Sequence, residues 1–151
     1  MKIKEIKIFQ VNLTMKEGHY SWSNQSFRSF DSTVVEIITN QGISGFGEIC
    51  PLGPSYLPSY SEGVRVGIKK LSEILLGKDP SNINNINFLM DNALKGHPYV
   101  KSAVDIACWD ILGKKMNIPV YTLLGGKLQS KVKLFKVISR DIPEIMQEKG
   151  N

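Results

Sequence analysis

Hydrophobic and polar positions change rhythm several times along the chain, and each change predicts a different element. Residues 2 to 13 alternate apolar with charged or polar side chains, the period of a half-buried strand. The alternation slips once: Ile6 and Ile8 share one face while Phe9, Val11 and Leu13 share the other, so a bulge near Ile8 is expected. Residues 14 to 31 hold no period and scatter His19, Tyr20, Trp22, Phe27, Arg28 and Phe30 among Ser, Asn and Gln, which predicts a long loop rich in aromatics. β-Branched residues return over 33 to 39, and a second strand pattern covers 43 to 50. Between them, Asn40-Gln41-Gly42 supplies the positive φ of a hairpin turn at Gly42, so three antiparallel strands are expected. The stretch Cys50-Pro51-Leu52-Gly53-Pro54-Ser55-Tyr56-Leu57-Pro58 cannot continue the sheet, because its prolines lack N–H donors; it forms a second irregular loop.

The period then lengthens to that of a helix. Val64, Ile68, Leu71 and Leu75 recur at helical spacing behind Ser59 and Glu62, a capping-box pair, and Gly77 ends the run. Asp79-Pro80 predicts a second helix with a capping carboxylate, whose buried stripe is Ile83, Ile86, Met90 and Ala93 before Gly96. A third starts near Pro98 with Val100, Ala103, Val104, Ala107 and Ile111 inward, and its small alanines allow close approach to another element. Past Pro119 a short irregular stretch reaches Gly125-Gly126. Val132, Leu134 and Val137 then read as a strand, and Asp141-Ile142-Pro143-Glu144 opens a helix. Strand then helix is a βα unit, which alone cannot cover both faces of its strand; parallel neighbours are therefore expected outside the 151 residues.

Composition narrows the function classes. The chain is 42% hydrophobic and 22% charged, an ordinary globular balance that can bury one core and part of a second. The charges in the first eight residues leave no apolar leader and no spanning segment, so a cytoplasmic enzyme without membrane contact is expected. The net charge of +5 raises the question of nucleic acid, but the lysines are scattered without a recognition motif. Their one concentration, Lys127, Lys131, Lys133 and Lys136, runs through the alternating segment as a solvated face. Cys50 and Cys108 have no Cys or His neighbour at metal-ligand spacing and read as small buried hydrophobes. Gly45-x-Gly47 is no dinucleotide loop, since Pro51 and an irregular stretch follow where a helix must stand.

The order of three antiparallel strands, three helices and an incipient βα series resembles the enolase superfamily, in its mandelate racemase/muconate lactonizing branch. The most specific stretch is Ala103-x-Asp105-x-Ala107-x-x-Asp110-x-x-Gly113-Lys114-x-x-x-x-Pro119-Val120-x-x-Leu123-Leu124-Gly125-Gly126, with Gly45-Phe46-Gly47-Glu48 as a second match. By this resemblance the fold is α+β. Residues 1–126 are an enolase-like N-terminal capping domain, and 127–151 start a truncated C-terminal (β/α) barrel. The residues in these motifs also have plain structural readings. Asp105 with Lys101, and Asp110 with Lys114, stand at the spacing of helix-surface ion pairs. Trp109 reads as an anchor in the domain interface, and Glu48, entering an apolar loop, needs a hydrogen-bond partner.

The resemblance implies a magnesium-dependent lyase or isomerase that removes the proton α to a carboxylate, with a Lys or His base and a metal stabilising the dianion. The base and carboxylate metal ligands belong to barrel strands beyond this chain. No catalytic residue and no metal ligand is therefore carried over, and this stretch alone is expected to be inactive and to bind no magnesium. The capping loops, residues 14 to 31 and 50 to 58, would set specificity by covering the barrel mouth. Their wording resembles members acting on proline derivatives, cis-3-hydroxyproline dehydratases and hydroxyproline-betaine epimerases. Tyr56 first, and Trp22, would offer an aromatic face to a ring ammonium, with Ser26 and Phe27 on the same loop as Trp22. Ser139, at the expected end of the first barrel strand, would face the pocket, whereas His19 reads as a loop histidine without catalytic work. A homo-oligomer is expected, together with self-association through the unpaired strand edge. The alternatives are a dipeptide epimerase, an acid-sugar dehydratase, or a stand-alone binding module without catalysis.

Overall fold

The computed structural model describes residues 1–135 and 137–150; Lys136, the last of the lysine concentration, and Asn151 lie outside the described residues. In chain order the elements are β1 (Ile3–Thr14), β2 (Tyr20–Trp22), β3 (Gln25–Phe27), β4 (Ser29–Thr39), β5 (Ser44–Ile49), α1 (Ser61–Leu75), α2 (Ile83–Ala93), α3 (Pro98–Met116), α4 (Val120–Leu123) and α5 (Pro143–Gly150). They sort into two compact units: Met1–Val11 with Asp31–Lys127, and Asn12–Phe30 with the chain from Leu128 onward.

The first unit is built on a three-stranded antiparallel sheet in the order β1-β4-β5. Ile3 is buried, and Ile6 and Ile8 pack against the core. Phe9 and Leu13 are exposed and only Val11 is half-buried, so the second face predicted for β1 is not buried as a set. β4 and β5 pair from Thr33↔Ile49 to Ile38↔Ser44, closing at Gly42 with φ 78° as the turn requires. Thr39 stitches that turn: its hydroxyl donates to the Ile43 carbonyl at 2.9 Å and accepts from the Ile43 amide at 3.1 Å. Across the pair, fully buried Val35 and Ile37 stand opposite Gly47 and Gly45. That alternation leaves a groove along β5, and α3 fills it. A Cβ on Gly47 would collide with the Ala103 carbonyl, and one on Gly45 with the Ala107 carbonyl and Ile111. The small alanines of the predicted inner face do allow close approach, and the paired glycines receive it.

Val64, Ile68, Leu71 and Leu75 of α1, and Val100, Ala103, Val104, Ala107 and Ile111 of α3, are all buried, as the helical spacing predicts. Each large side chain among them contributes about 1.5–3 kcal/mol by leaving water. The predicted caps differ. Helix α1 starts at Ser61 behind Tyr60, whose side chain makes no cap bond, and the Ser61 hydroxyl is committed to the Asp31 carbonyl; Ser59 and Glu62 form no capping box. Asp79 likewise caps no helix: it accepts from the Ser81 amide and hydroxyl in a turn, and Asn82 caps α2 by accepting from the Asn85 amide. Burial opposes charge on Asp79, but those Ser81 bonds outweigh it and hold the carboxyl below its ordinary value. Ile86 and Met90 carry the α2 stripe, whereas Ala93 faces solvent and Leu89 and Leu94 pack instead.

Polar groups tie the helices to each other and to the sheet. Asp110 accepts from Lys114 at 2.7 Å as spaced, and also from the Phe46 amide at 2.9 Å, while Lys114 reaches the Ser44 carbonyl at 2.8 Å. The other expected pair does not form: Lys101 turns to Asp91 of α2 at 2.6 Å, and Asp105 accepts from Asn87 at 2.8 Å, because both find partners across the α2–α3 packing. Past Pro119, α4 makes one turn where an irregular stretch was expected.

In the second unit, residues 14 to 31 are not an aperiodic loop. β2 and β3 form an antiparallel hairpin with Tyr20↔Phe27, Ser21↔Ser26 and Trp22↔Gln25, turning at Ser23, which takes φ 46°. Over 128 to 142 no described residue is in a strand. Val132 and Leu134 are exposed, since the alternating pattern there meets no partner strand among the described residues; only the helical half of the βα unit, α5, is formed. No described helix is long and apolar enough to cross a membrane.

Candidate functional site

The first-unit loop over 50 to 58 is shaped by the residues that forbid regular structure. Gly53 takes φ 97°, and its carbonyl accepts from the Tyr56 and Leu57 amides at 3.1 Å each, forming a tight turn that leaves Tyr56 59% exposed. An exposed ring on a short turn offers a π face to a cation. At the root of the loop, Glu48 accepts from the Ser32 hydroxyl, the partner its position demanded. Partial burial pushes the Cys50 thiol up, Ser32 opposes it, and the Glu48 and Asp31 carboxylates add to the rise. The rise favours the protonated thiol over the thiolate. Cys108 is fully buried and its thiol is pushed up to about 12, chiefly by desolvation.

The sequence reading missed Asp31 and Arg65 in this unit. Arg65 of α1 donates Nη1 to Oδ1 and Nη2 to Oδ2 of Asp31, both at 2.9 Å. The Asp31 bonds raise the guanidinium pKa further against opposing desolvation. Thirty-four residues separate the two, so no local spacing announces them.

The second unit gathers four of the sequence-predicted aromatics. Trp22 and Phe27 stack with centroids 4.8 Å apart and planes at 13°; Tyr20 lies 5.1 Å from Trp22, and Phe30 lies 5.3 Å from Phe27. Ser26 belongs to the opposite side of the hairpin ladder, where its hydroxyl accepts from Ser21 at 2.9 Å. It lines an open concavity with Gly18, His19 and Arg28. Ser139 is buried and donates to the His19 carbonyl at 3.3 Å, beside the Arg140 amide bond to the Ser21 carbonyl at 3.0 Å. His19 Nε2 lies 3.9 Å from Asp141. The Ile142 amide, then Lys149 and His19, hold the Asp141 carboxyl below its ordinary range despite some desolvation.

The structure thus brings Trp22, Ser26, Phe27 and Ser139 into one unit and sets Tyr56 in the other. Trp22 and Phe27 turn ring faces to each other, whereas the Ser139 hydroxyl is engaged by the His19 carbonyl. Among the described residues no three His, Cys, Asp or Glu side chains come together as a metal site.

A family model described as mandelate racemase / muconate lactonizing enzyme, N-terminal domain, matches residues 3–125. The chain is 57% identical over 150 residues to a cis-3-hydroxy-L-proline dehydratase of Roseibium aggregatum, covering 99% of this chain and 41% of the relative. It is 35% identical to an N-succinyl-L-Arg/Lys racemase of Bacillus cereus, covering 99% of this chain and 40% of the relative. A solved member of the enolase superfamily from Roseovarius nubinhibens ISM, complexed with magnesium, superposes with a TM-score of 0.86 at 40% identity, covering 98% of this chain and 40% of that one. The chain spans about two fifths of the length of the curated relatives it matches.

Proposed function

Because this chain belongs to the mandelate racemase/muconate lactonizing enzyme family, we propose that it is the capping part of an enzyme that removes the proton α to a carboxylate of a proline derivative, as a dehydratase or an epimerase. The observation that carries this reading is the 57% identity to a cis-3-hydroxy-L-proline dehydratase along nearly the whole chain. Identity falls to 33% for a hydrophobic dipeptide epimerase and for a D-galactonate dehydratase, so these substrate classes rank below. In this reading residues 1–126 are the cap and 127–151 begin the barrel.

A carbon acid α to a carboxylate is too weak for an unassisted side chain, and a bound magnesium supplies the charge that stabilises the dianion. The base and metal ligands are assigned to the length that the relatives carry beyond the matched stretch. The present residues bind and exclude. Tyr56 gives its exposed ring to the ring ammonium of the substrate. Trp22, Ser26 and Phe27 are the substrate-contacting set of their own unit, the stacked pair as an apolar wall and Ser26 as a hydroxyl beside Arg28, while buried Ser139 supports them by holding the His19 backbone. Water exclusion by such loops strengthens every electrostatic contact beneath them. A homo-oligomer in the cytoplasm completes the proposal.

The test is full-length protein with magnesium, screened against hydroxyproline and hydroxyproline-betaine stereoisomers, reading Cα–H exchange in deuterated solvent and product formation. Turnover of at least one proline derivative is expected, with none by the 151-residue chain alone. Absence of turnover for every proline derivative removes the substrate assignment, and exchange catalysed by the isolated chain removes the capping role.

A further inference from the structure

Both ends of the Tyr56 loop close on one residue. At its start, the Cys50 thiol approaches the Asp31 carbonyl with Sγ–O at 4.0 Å; after it, the Ser61 hydroxyl donates to that same oxygen at 2.6 Å. One turn into α1, Arg65 grips the Asp31 carboxylate with its two parallel bonds and reaches the Thr33 hydroxyl at 3.3 Å. Ser32, next to Asp31, bonds Glu48 and the Ile49 carbonyl just ahead of Cys50. The loop has few bonds of its own: Pro51, Pro54 and Pro58 have no amide donor, and the backbone bonds within it are those of Tyr56 and Leu57 to Gly53 and of Ser59 to Leu57. In a segment so poor in internal backbone bonds the ends weigh on its position, and here the ends share an anchor held by a bidentate, charge-assisted pair. The pair is largely shielded, with Arg65 and Asp31 side chains 18% and 28% exposed.

We infer that Arg65 is a positioning residue for substrate specificity: by clamping Asp31 it sets where the Tyr56 loop stands, and so which substrate the loop accepts. This rests on the proposed contact between Tyr56 and substrate. No group on the loop transfers a proton in that reading. Loosening the anchor therefore weakens ground-state and transition-state binding alike, which raises KM and leaves kcat nearly intact. A lysine, lacking the planar fork, restores the charge but not the fixed orientation.

The experiment uses full-length enzyme with magnesium and the proline derivative turned over fastest, comparing wild type with Arg65→Met, Arg65→Lys and Asp31→Asn. Arg65→Met is expected to raise KM about tenfold with kcat within about threefold, and Arg65→Lys to recover part of the loss. Combining Arg65→Met with Asp31→Asn should add little to either alone, as expected of one coupled unit. An unchanged KM, or a fall in kcat equal to that in kcat/KM, overturns the assignment. Hydrogen exchange on the same variants is independent of turnover: amides of residues 50–60 should exchange faster while α2 and α3 stay protected. Unchanged exchange in 50–60 overturns the clamp, and if Arg65→Met fails to fold, Arg65→Lys decides by the same readout. A wild type inactive on all proline derivatives defeats the proposed function instead, leaving exchange to judge the clamp alone.

Discussion

In the first unit Val35, Ile37, Ile68 and Leu71 are wholly withdrawn from solvent between sheet and helices; in the second, Leu134 and Phe135 stand 92% and 90% exposed while the aromatic residues stack on one another. Residue type does not separate the units, since both are rich in large apolar side chains. Closure does. The β4–β5 hairpin is covered by α3 at backbone contact, whereas the alternating residues near 132 meet no strand among those described. An apolar pattern is converted to stability only where a second surface arrives to cover it.

Four measurements press on this contrast. The largest effect is expected at the helix–strand contact: in Gly47→Val the new side chain meets the Ala103 carbonyl and its carbon, which are backbone and cannot swing aside, so a loss above about 3 kcal/mol is expected in urea unfolding. Gly18→Ala in the second unit meets nothing within 4 Å and is limited by its φ of +84° alone, so a cost of about 1 kcal/mol is expected. A near-silent Gly47→Val would remove the claim that backbone contact closes the first unit.

Next in size, Leu71→Ala should cost about 2–5 kcal/mol and Leu134→Ala less than about 0.5. Light scattering on Leu134→Lys should show less self-association than wild type, because an apolar surface has been removed. Equal destabilisation by the two alanine variants would erase the distinction between the units. Third, a double-mutant cycle on Trp22→Leu and Phe27→Leu should return a coupling of about 0.5–1.5 kcal/mol, the worth of a stacked pair beyond area. Zero coupling would mean that the rings share space without sharing energy.

The smallest effect concerns pH. The Asp141 carboxyl is held low in the folded chain, so its contribution is complete above the ordinary aspartate value of about 3.9 and fades as pH falls through the lowered one. An NMR titration following the Ile142 amide should give a midpoint below the ordinary value. A midpoint at or above it would contradict the bond that Ile142 donates to Asp141.

Legibility followed the same division. The stripes of α1 and α3 were readable because burial there obeys the helical period over four turns or more. The β2–β3 hairpin was hidden because strands of three residues are too short for a period to show. Ser59 and Asp79 misled because both match the sequence signs of a helix start, while Ser61, Ser81 and Asn82 supply the bonds that matter. Val132 and Leu134 had the alternation of a strand without a neighbour to pair with. For the site, the exposure of Tyr56 and the partner of Glu48 followed from local chemistry. Asp31 and Arg65 did not, since only the fold brings an acid before β-branched residues to a base in the first turns of a helix.

Along β5, buried glycines pressed against α3 alternate with Phe46 and Glu48, which are exposed. A slip of one residue in the hairpin would swing the Phe46 ring toward a helix that tolerates no Cβ there, so α3 acts as a gauge that rejects misaligned pairings. The gauge begins at Pro98, 49 positions after Ile49 ends the strand it inspects. During synthesis, an error in strand alignment therefore goes unread until that helix has been made.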